Sequence, residues 1–359
     1  MRAAIAEAHK ALGRTHPNPS VGAVVVKDGR ILARGHTAGR PGAPHAEVMA
    51  LEQAGALARG ADLYTTLEPC DHFGRTPPCS RAILAAGIRR VITGPADPNP
   101  LVQGKGVTRL RRGGVEVIEG VLGPENEWLN RAFFKFMRSG RPWVTLKAAV
   151  TLDGKLASST GDSKWVTGEA ARAWVHRLRD EVDAVLVGAN TVRLDDPKLT
   201  TRLPRGGRDP VRVVLDSKLS LKPARELFQQ TSAAPTIIVT GKDAPASRER
   251  RLLQTGAQVW RVPAKEGRVS LPALMKRLGA AGHFHLLVEG GSAVFASFLK
   301  AQLADELYLF LAPKILGGEG KSWVGALGNR TMEDAARGRF QSLECVGEDV
   351  LLHLTFPGG

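Results

Sequence analysis

The sequence predicts a protein of two α/β domains, and three observations support this fold class. The chain has 359 residues, and a length near 150 residues is usual for one domain. Short apolar strand patterns alternate with helical patterns in both halves of the chain. A phenylalanine-rich stretch at 133–136 and the Ser-Gly-Arg-Pro run at 139–142 mark a junction. We therefore predict domains at 1–140 and 143–359.

The first domain begins with an amphipathic helix, because charged residues interrupt its apolar pattern. Strands are predicted at 21–26, 31–35, 63–67 and 90–93, the first two joined by a turn at 27–30. Helices are predicted at 45–54 and 79–86, with Gly87 ending the second. His45 and Cys79 therefore each begin a helix, where the positive helix end favours a thiolate over a thiol.

The most informative pattern lies between residues 45 and 79. His45 and Glu47 form a His-x-Glu motif, and Cys70 and Cys79 follow it. Catalytic zinc commonly has three nitrogen or sulfur ligands and an open position for water, and hydrolytic deaminases add a glutamate that is not a ligand. The chain has only three cysteines, and two of them are here. We predict one Zn²⁺ per chain bound by His45, Cys70 and Cys79, with Glu47 as the catalytic proton shuttle.

Other interpretations of these residues stay open. His45 could cap a helix, and the two cysteines could be buried apolar thiols. A disulfide fits poorly, because a chain with few cysteines and no secretory signal points to a reducing compartment, which we take to be the cytoplasm. His72 could compete as a ligand, but a substrate contact fits it better. Cys345 lies in a predicted strand, and we expect it to be a core thiol.

Composition narrows the function classes. The net charge is +15, and it is spread over the chain, with 19 basic and 12 acidic residues at 1–140 and 31 and 23 in the remainder. A nucleic-acid-binding protein usually concentrates such charge in one patch, so we expect no nucleic-acid partner. The charge fits either a basic proteome or attraction of phosphorylated small molecules. No apolar run reaches 18 residues, and we expect no membrane span.

The second domain alternates strands and helices in a pattern that favours a largely parallel sheet. Strands are predicted at 143–150, 182–188, 211–216, 236–240, 286–289, 307–312 and 351–356, and helices at 169–179, 271–281 and 293–299. The sequence Glu-Gly-Gly-Ser at 289–292 ends a strand and opens a helix. Such a turn lets the backbone and the helix N-terminus approach a phosphate. It is common in α/β folds, and it is not the dinucleotide-binding fingerprint.

Taken together, these motifs resemble the bifunctional riboflavin-biosynthesis family, in which a deaminase is fused to a reductase. The resemblance covers nearly the whole chain and rests on residues 15–22, 35–36, 45–47, 68–79, 97–106, 147, 152–155, 161–165, 188–191 and 195–202. It implies an N-terminal cytidine-deaminase-like α/β/α domain and a C-terminal dihydrofolate-reductase-like α/β domain. It also implies zinc-dependent deamination of a diaminopyrimidinone ribosyl phosphate, followed by NADPH-dependent reduction of the ribosyl group to ribityl.

The resemblance also implies partners and site residues. The partners are phosphorylated pyrimidines and, through the reductase domain, further copies of the chain. The loop between the two thiols carries His72, Arg75 and Thr76, which can hold a small substrate. The remaining deaminase substrate contacts implied are Asn18, His36, Asn99 and Lys105. The NADPH site implied is Ala149, Trp165, Thr191, Asp195, Ser217, Gly291, Ser292, Ala293, Val294, Phe295, Ala296 and Ser297.

The reductase substrate site implied by the resemblance is Ser163, Arg179, Leu199, Arg202 and Glu289. Physical chemistry agrees in part, because Arg179 and Arg202 suit bidentate phosphate contacts. Each arginine could instead be a solvated surface charge, and Trp165 could be a core residue.

Two rival functions stay open. One is a different zinc deaminase acting on a nucleoside or RNA, which the eight residues between Cys70 and Cys79 and the long second half disfavour. The other is a basic nucleic-acid-binding protein with a structural zinc. Structural zinc usually has four protein ligands, and three candidates cluster here.

Overall fold

A computed structural model describes residues 1–40 and 42–357. The chain divides into two compact units, Met1–Gly140 and Arg141–Gly359. Gly358 and Gly359, which end the second predicted domain, lie outside the described residues. No helix within the described ranges is long and apolar enough to cross a membrane.

The first unit is a five-stranded sheet with helices. Its strands are β1 (Gly22–Lys27), β2 (Arg30–His36), β3 (Asp62–Thr65), β4 (Arg90–Thr93) and β5 (Glu116–Ile118). Its helices are α1 (Arg2–His9), α2 (Ala46–Ala54), α3 (Cys79–Ala85), α4 (Lys105–Arg112), α5 (Gly123–Leu129) and α6 (Arg131–Ser139). The strand order is β2-β1-β3-β4-β5. Strand β1 is antiparallel to β2 and β3, whereas β3, β4 and β5 run parallel.

Close packing positions the helices of this unit. Helix α1 lies so near β1 that a Cβ on Gly22 would be 2.0 Å from the carbonyl oxygen of Ala4, so only glycine fits there. Apolar side chains from the sheet and from α2 and α3, such as Val25, Leu63 and Ile83, form one core. This packing holds the first turns of α2 and α3 at the same edge of the sheet.

The second unit contains a nine-stranded sheet. Strands β6 to β18 are Trp143–Thr151, Lys155–Ala157, Ala184–Gly188, Val211–Leu215, Thr236–Gly241, Gln258–Val262, Ala264–Lys265, Arg268–Val269, His285–Val288, Glu306–Ala312, Lys321–Ser322, Arg339–Val346 and Asp349–Thr355. Helices α7 to α11 are Glu169–Glu181, Ala189–Asp195, Ala246–Leu253, Leu271–Ala280 and Ser292–Lys300. The order in the large sheet is β11-β10-β9-β8-β14-β6-β15-β18-β17.

Seven neighbouring strands of this sheet, from β11 to β15, run parallel, and β18 and β17 complete it in antiparallel pairing. Apolar side chains fill both faces of the parallel part, with Leu186 and Val288 in one core and Val187 and Leu287 in another. Burial on both faces is typical of a parallel sheet. Because β6, β8, β9 and β14 run parallel, their carboxyl ends meet at one edge of the sheet.

The expectation that Cys345 is a core thiol is wrong. The predicted strand exists as part of β17, but β17 is the last strand of the sheet and Cys345 is exposed. Its neighbours Phe340 and Leu343 are also more than 60 % exposed. The local sequence pattern predicts that this segment is a strand. It does not reveal that the strand lies at the edge of the sheet, where its side chains are exposed.

Candidate active sites

Three side chains of metal-binding type meet at one edge of the first sheet. His45 caps the N-terminus of α2, Cys79 is the first residue of α3, and Cys70 lies in the loop after β3. The Nδ1 atom of His45 lies 3.1 Å from Sγ of Cys79 and 3.5 Å from Sγ of Cys70. Among the described residues, the ligand atoms of this trio all lie within 4.8 Å of one another.

These three residues fit a zinc ion. Donor atoms around a tetrahedral zinc ion are roughly 3.3–3.8 Å apart, given metal–ligand bonds of about 2.0–2.3 Å. A hydrogen bond from the Cys79 thiol holds the pKa of Cys70 well below that of a free thiol, and the same bond together with burial raises the pKa of Cys79. The two cysteines together therefore favour one thiolate and one thiol. Coordination of zinc would displace the proton of the remaining thiol.

Glu47 and Thr76 lie beside the trio. Glu47 is in the first turn of α2 and is 4 % exposed, and burial raises its pKa to about 7 although His45 opposes the shift. The hydroxyl of Thr76 is 3.2 Å from Nε2 of His45. We assign the imidazole proton to Nε2, because Nδ1 faces the two sulfurs, and Thr76 then accepts it and orients the ring.

A cavity of about 390 Å³ opens beside His45 and Cys70 of this trio, a size that suits a small molecule. Its lining contains most of the predicted deaminase contacts, namely Asn18, His72, Arg75, Thr76 and Asn99. His36 and Lys105 are not brought into it. The Nδ1 atom of His36 lies 3.5 Å from a carboxylate oxygen of Glu7, and Nζ of Lys105 donates to the carbonyl of Leu101 at 3.1 Å.

The cavity also includes residues to which the sequence analysis gave no role, namely Thr15, Thr37, Arg40, Glu68, Asp97, Phe133 and Met137. Glu68 is 4 % exposed, and burial raises the pKa of Asp97 to about 6 with a further contribution from the charge of Glu68. A signal for both was present, since Glu68 precedes Pro69-Cys70 and Asp97 begins the Asp-Pro-Asn-Pro run. Buried acids beside a ligand motif are candidates for functional residues.

In the second unit, predicted cofactor residues gather at the carboxyl edge of the parallel strands, where ligands bind in open α/β sheets. Ala149 lies near the end of β6, and Ser217 follows β9. Gly291 is the N-cap residue of α11, the helix that follows β14, and it is the first residue of the predicted 291–297 segment. A Cβ placed on Gly291 would lie 3.3 Å from the hydroxyl of Thr191 on α8.

Other predicted residues of the second site lie in nearby loops. Ser163 donates to the carboxylate of Asp195 at 3.4 Å. Trp165 is 63 % exposed, with the Arg172 guanidinium 4.6 Å from its ring centroid, so it is not a core residue. The side chain of Leu199 is 2 % exposed within a hydrophobic core, which leaves only its backbone for a ligand contact.

The predicted phosphate ligand Arg179 is engaged by the protein itself. Its Nε and one terminal nitrogen each donate to Glu289 at 2.6 Å, and its other terminal nitrogen donates to the carbonyl of Thr200 at 3.0 Å. Burial would raise the pKa of Glu289, but the guanidinium outweighs burial and holds it below its ordinary value. Arg202, in contrast, is exposed and remains available for an anion.

Lys147 on β6 is part of the family resemblance, but the sequence analysis gave it no role in the site. Burial lowers its pKa, and the charge of Glu289 opposes that effect. A lysine inside an otherwise apolar strand was the available signal. The Glu289 carboxylate is thus near three basic groups, those of Lys147, Arg179 and Arg202.

Comparison with known proteins identifies the chain. Residues 1–95 match the family described as the cytidine and deoxycytidylate deaminase zinc-binding region, and residues 142–352 match the RibD C-terminal domain. Riboflavin biosynthesis protein RibD of Aquifex aeolicus is 47 % identical, with 98 % of this chain and 96 % of the relative covered. The chain belongs to the RibD family. The RibD protein of Escherichia coli is 40 % identical over 95 % of this chain and 94 % of its own length.

Solved RibD structures agree with the fold described above. A diaminohydroxyphosphoribosylaminopyrimidine deaminase/5-amino-6-(5-phosphoribosylamino)uracil reductase from Thermotoga maritima has a TM-score of 0.86 at 40 % identity, covering 99 % of this chain and 97 % of that one. RibD of Acinetobacter baumannii has a TM-score of 0.88 at 34 % identity over the same shares. The predicted cytidine-deaminase-like and dihydrofolate-reductase-like folds are confirmed.

RibD membership settles the general function. The chain is a bifunctional enzyme of riboflavin biosynthesis, with a zinc-dependent deaminase in its N-terminal part and an NADPH-dependent reductase in its C-terminal part. This confirms the predicted activities and cofactors and decides against both rival functions.

Removing one partner of the buried Arg179–Glu289 pair should destabilise the second unit. We expect Arg179→Met to cost about 3–5 kcal/mol of unfolding free energy, because the Glu289 carboxylate would remain buried without its two strongest hydrogen bonds. The double variant Arg179→Met/Glu289→Met should cost less than the sum of the single changes by about 1–3 kcal/mol. Urea unfolding measures these free energies. The transition of the second unit is identified as the one whose midpoint NADPH raises.

Arg177→Met is the matched control, because Arg177 lies on the same helix and is exposed. Its effect should stay within about 0.5 kcal/mol. Equal effects of the Arg177 and Arg179 changes, or additive effects in the double variant, would contradict a stabilising pair.

Proposed function

We propose that the two units carry out the two reactions for which the Thermotoga maritima relative is named. The first would release ammonia from a diaminopyrimidine ribosyl phosphate, and the second would reduce the ribosyl group of the deaminated product. The observation that carries this proposal is the trio of His45, Cys70 and Cys79 beside a buried Glu47 in a cavity of small-molecule size.

His45, Cys70 and Cys79 would bind the zinc, and Glu47 would move the protons. When bound, zinc acts as a Lewis acid that brings the pKa of a coordinated water near neutrality. The Glu47 carboxylate would accept the proton of the attacking water and deliver it to the departing amine. Its position supports this role, because it lies two residues after His45 on the same helix turn.

Polar groups of the cavity would hold the substrate. Asn18, Asn99 and Thr76 offer neutral hydrogen-bonding groups, and Arg75 and His72 offer groups that can meet a phosphate. Contacts from His36 and Lys105 remain predictions, since these side chains hydrogen-bond or pair with the protein outside the cavity lining.

Glu47→Gln and Cys70→Ser should separate proton transfer from metal binding. Glu47→Gln keeps the shape of the side chain but cannot accept a proton, so zinc should stay at about one per chain while deamination falls roughly 10²–10⁴-fold. Cys70→Ser should lose zinc and deamination together. Metal analysis and ammonia release measure both. Full zinc retention by Cys70→Ser would remove Cys70 from the ligand set, and near-normal turnover by Glu47→Gln would assign the proton transfer to another group.

In the second unit, NADPH would lie along the carboxyl edge of the sheet, against Ala149, Thr191, Ser217, Asp195, Trp165 and the 291–297 segment. The cofactor supplies the hydride, which the ribosyl C1′ would receive as its bond to the ring oxygen breaks. That oxygen would take one proton from solvent and become a hydroxyl of the open ribityl chain. The protein's part is orientation, because little proton chemistry is needed. Arg202 would meet the substrate phosphate, while Glu289, held by Arg179, would accept hydrogen bonds from the ribosyl or amine groups. Ser163 and the backbone of Leu199 would complete the substrate site.

Damage to one site should leave the other reaction intact, if the two units are separate catalysts. Arg202→Ala or Gly291→Val should abolish NADPH oxidation with the deaminated intermediate, the latter because a branched side chain would crowd Thr191 and the cofactor path. Ammonia release should stay near normal in both variants. Glu47→Gln should show the reverse pattern. Arg205→Ala, an exposed arginine in the same loop, is the control for Arg202→Ala.

Loss of both activities in soluble, folded variants would contradict separate sites. NADPH should also outperform NADH in the wild-type reaction.

We further propose that the protein forms a homo-oligomer through the second unit and acts in the cytoplasm. The edge strand β17 supports the first point, because Phe340, Leu343 and Cys345 are exposed on it. Leu343 pairs with Leu352, which pairs with Leu309 at the margin of the core, so an apolar sheet face continues to the edge. Large exposed apolar faces usually mark interfaces. A reducing compartment suits Cys70 and Cys79, which must stay free to bind metal.

Leu343→Glu should shift the protein toward the monomer, because a carboxylate on this face would lose its hydration in the interface. Light scattering after size-exclusion chromatography gives the mass. Glu344→Lys is the control, since Glu344 is the next residue on the strand and points to the opposite face. A wild-type protein that is monomeric at micromolar concentration would refute the proposal.

A further inference from the structure

Glu68 lies between two segments that shape the deaminase cavity. Strands β3 and β4 are parallel, so the segments that follow them leave the sheet at the same edge. The segment after β3 carries Glu68 and leads to Cys70, and the segment after β4 leads to the loop at 97–104. The amide of Glu68 donates to the carbonyl of Pro95 at 3.3 Å, which joins the two segments directly.

The carboxylate of Glu68 fastens both ends of the 97–104 loop. Its Oε2 atom accepts the amide of Asp97 at 3.3 Å and the amide of Gly104 at 3.0 Å. Its Oε1 atom has no hydrogen-bond partner among the described residues, so the carboxylate is held by these two amides through Oε2. Bonds from backbone amides to a carboxylate are stronger than neutral ones, which suits a clamp.

The loop held in this way lines the cavity through Asp97, Asn99 and Val102. Inside the loop, Asp97 accepts the amide of Asn99 at 2.8 Å, and Oδ1 of Asn99 accepts the amide of Leu101 at 3.0 Å. The Asn99 side chain is therefore oriented with its Nδ2 group as the donor that a ligand can use. The far end of the loop is equally constrained, since a Cβ on Gly106 would lie 1.7 Å from the carbonyl oxygen of Pro69.

We infer that Glu68 is a positioning residue of the deaminase, which holds Asn99 at the substrate by closing the 97–104 loop. This inference rests on the proposed deaminase function of the cavity. Glu68 would act through Asn99 and not by its own contact with substrate or metal. Its loss should therefore weaken substrate binding more than it slows the chemical step.

Glu68→Ala and Glu68→Gln test the clamp. Glu68→Ala removes both bonds, and it should raise KM for ammonia release about 3–10-fold, a size expected when the hydrogen bond from Asn99 to the substrate is lost. Zinc content and kcat should stay within about threefold of the wild type, since the ligands and Glu47 are untouched. Glu68→Gln should rescue KM, because its amide oxygen can accept the same two N–H groups.

Asn99→Ala shows whether Glu68 acts through Asn99. On the wild-type background it should raise KM, and on the Glu68→Ala background it should add little, because the two changes remove one interaction. Additive effects would overturn the inference. It would also fail if Glu68→Gln were as impaired as Glu68→Ala, which would indicate direct contact of the charge with substrate. Joint loss of zinc and kcat in Glu68→Ala would instead assign Glu68 to the Cys70 segment.

Hydrogen exchange separates this inference from the proposed function. Without substrate, the amides of the 97–104 loop should exchange faster in Glu68→Ala and at the wild-type rate in Glu68→Gln. Unchanged exchange in Glu68→Ala would refute the clamp whatever the enzyme does. Absence of ammonia release from the wild-type protein with the diaminopyrimidine phosphate would refute the proposed function and leave the exchange result standing.

Discussion

The direction of parallel strands is the constraint on which both sites depend. In the first unit, β3 and β4 run parallel, so the Cys70 segment and the 97–104 loop emerge side by side. In the second unit, β6, β8, β9 and β14 do the same for the predicted cofactor and substrate residues. Residues distant in sequence meet because each follows a strand end at one edge. An antiparallel arrangement would send half of these segments to the opposite edge.

Helix starts add a second layer of order to the first site. His45 and Cys79 each occupy the first turn or cap of a helix, where backbone amides favour an anionic or lone-pair ligand. The amide of Cys79 accordingly points at Sγ of Cys70 at 3.4 Å. A helix start also fixes the direction of its first side chains, so Glu47 follows His45 into the same cavity. The sheet brings the ligands near, and the helices aim them.

Local patterns in the sequence predicted much of this. The strand at 90–93 was predicted with the bounds that the structure shows, and most other predicted strands differ by one or two residues at their ends. The apolar pattern of the sequence located the central strands, because these strands are buried on both faces and consist mainly of apolar residues. It did not find β5 or α4, because β5 has three residues and half of the residues of α4 are charged. The exposure of Cys345 was missed for a related reason, since strand order is a property of the whole sheet.

The site residues also divide into those that local sequence patterns predicted and those that depend on the folded structure. The clustering of His45, Cys70 and Cys79 beside Glu47 was predictable because this combination of side chains is specific. Glu68 stands next to the Pro69-Cys70 motif, but its bonds to the amides of Asp97 and Gly104 were not predictable, because no residue type marks an amide that will need an acceptor. His36 matched a family motif, yet its side chain faces Glu7 and not the cavity.

Arg179 shows how charge balance decides the role of a residue. A buried guanidinium and a buried carboxylate each carry a desolvation cost that mutual hydrogen bonding offsets. Two bonds of 2.6 Å between Arg179 and Glu289 meet that need within the protein. Lys147 and Arg202 then add two further basic groups whose charges interact with Glu289. The proposed reductase function would use this positive charge, because a phosphorylated substrate would meet exposed Arg202, while the internal pair would keep Glu289 fixed for neutral contacts.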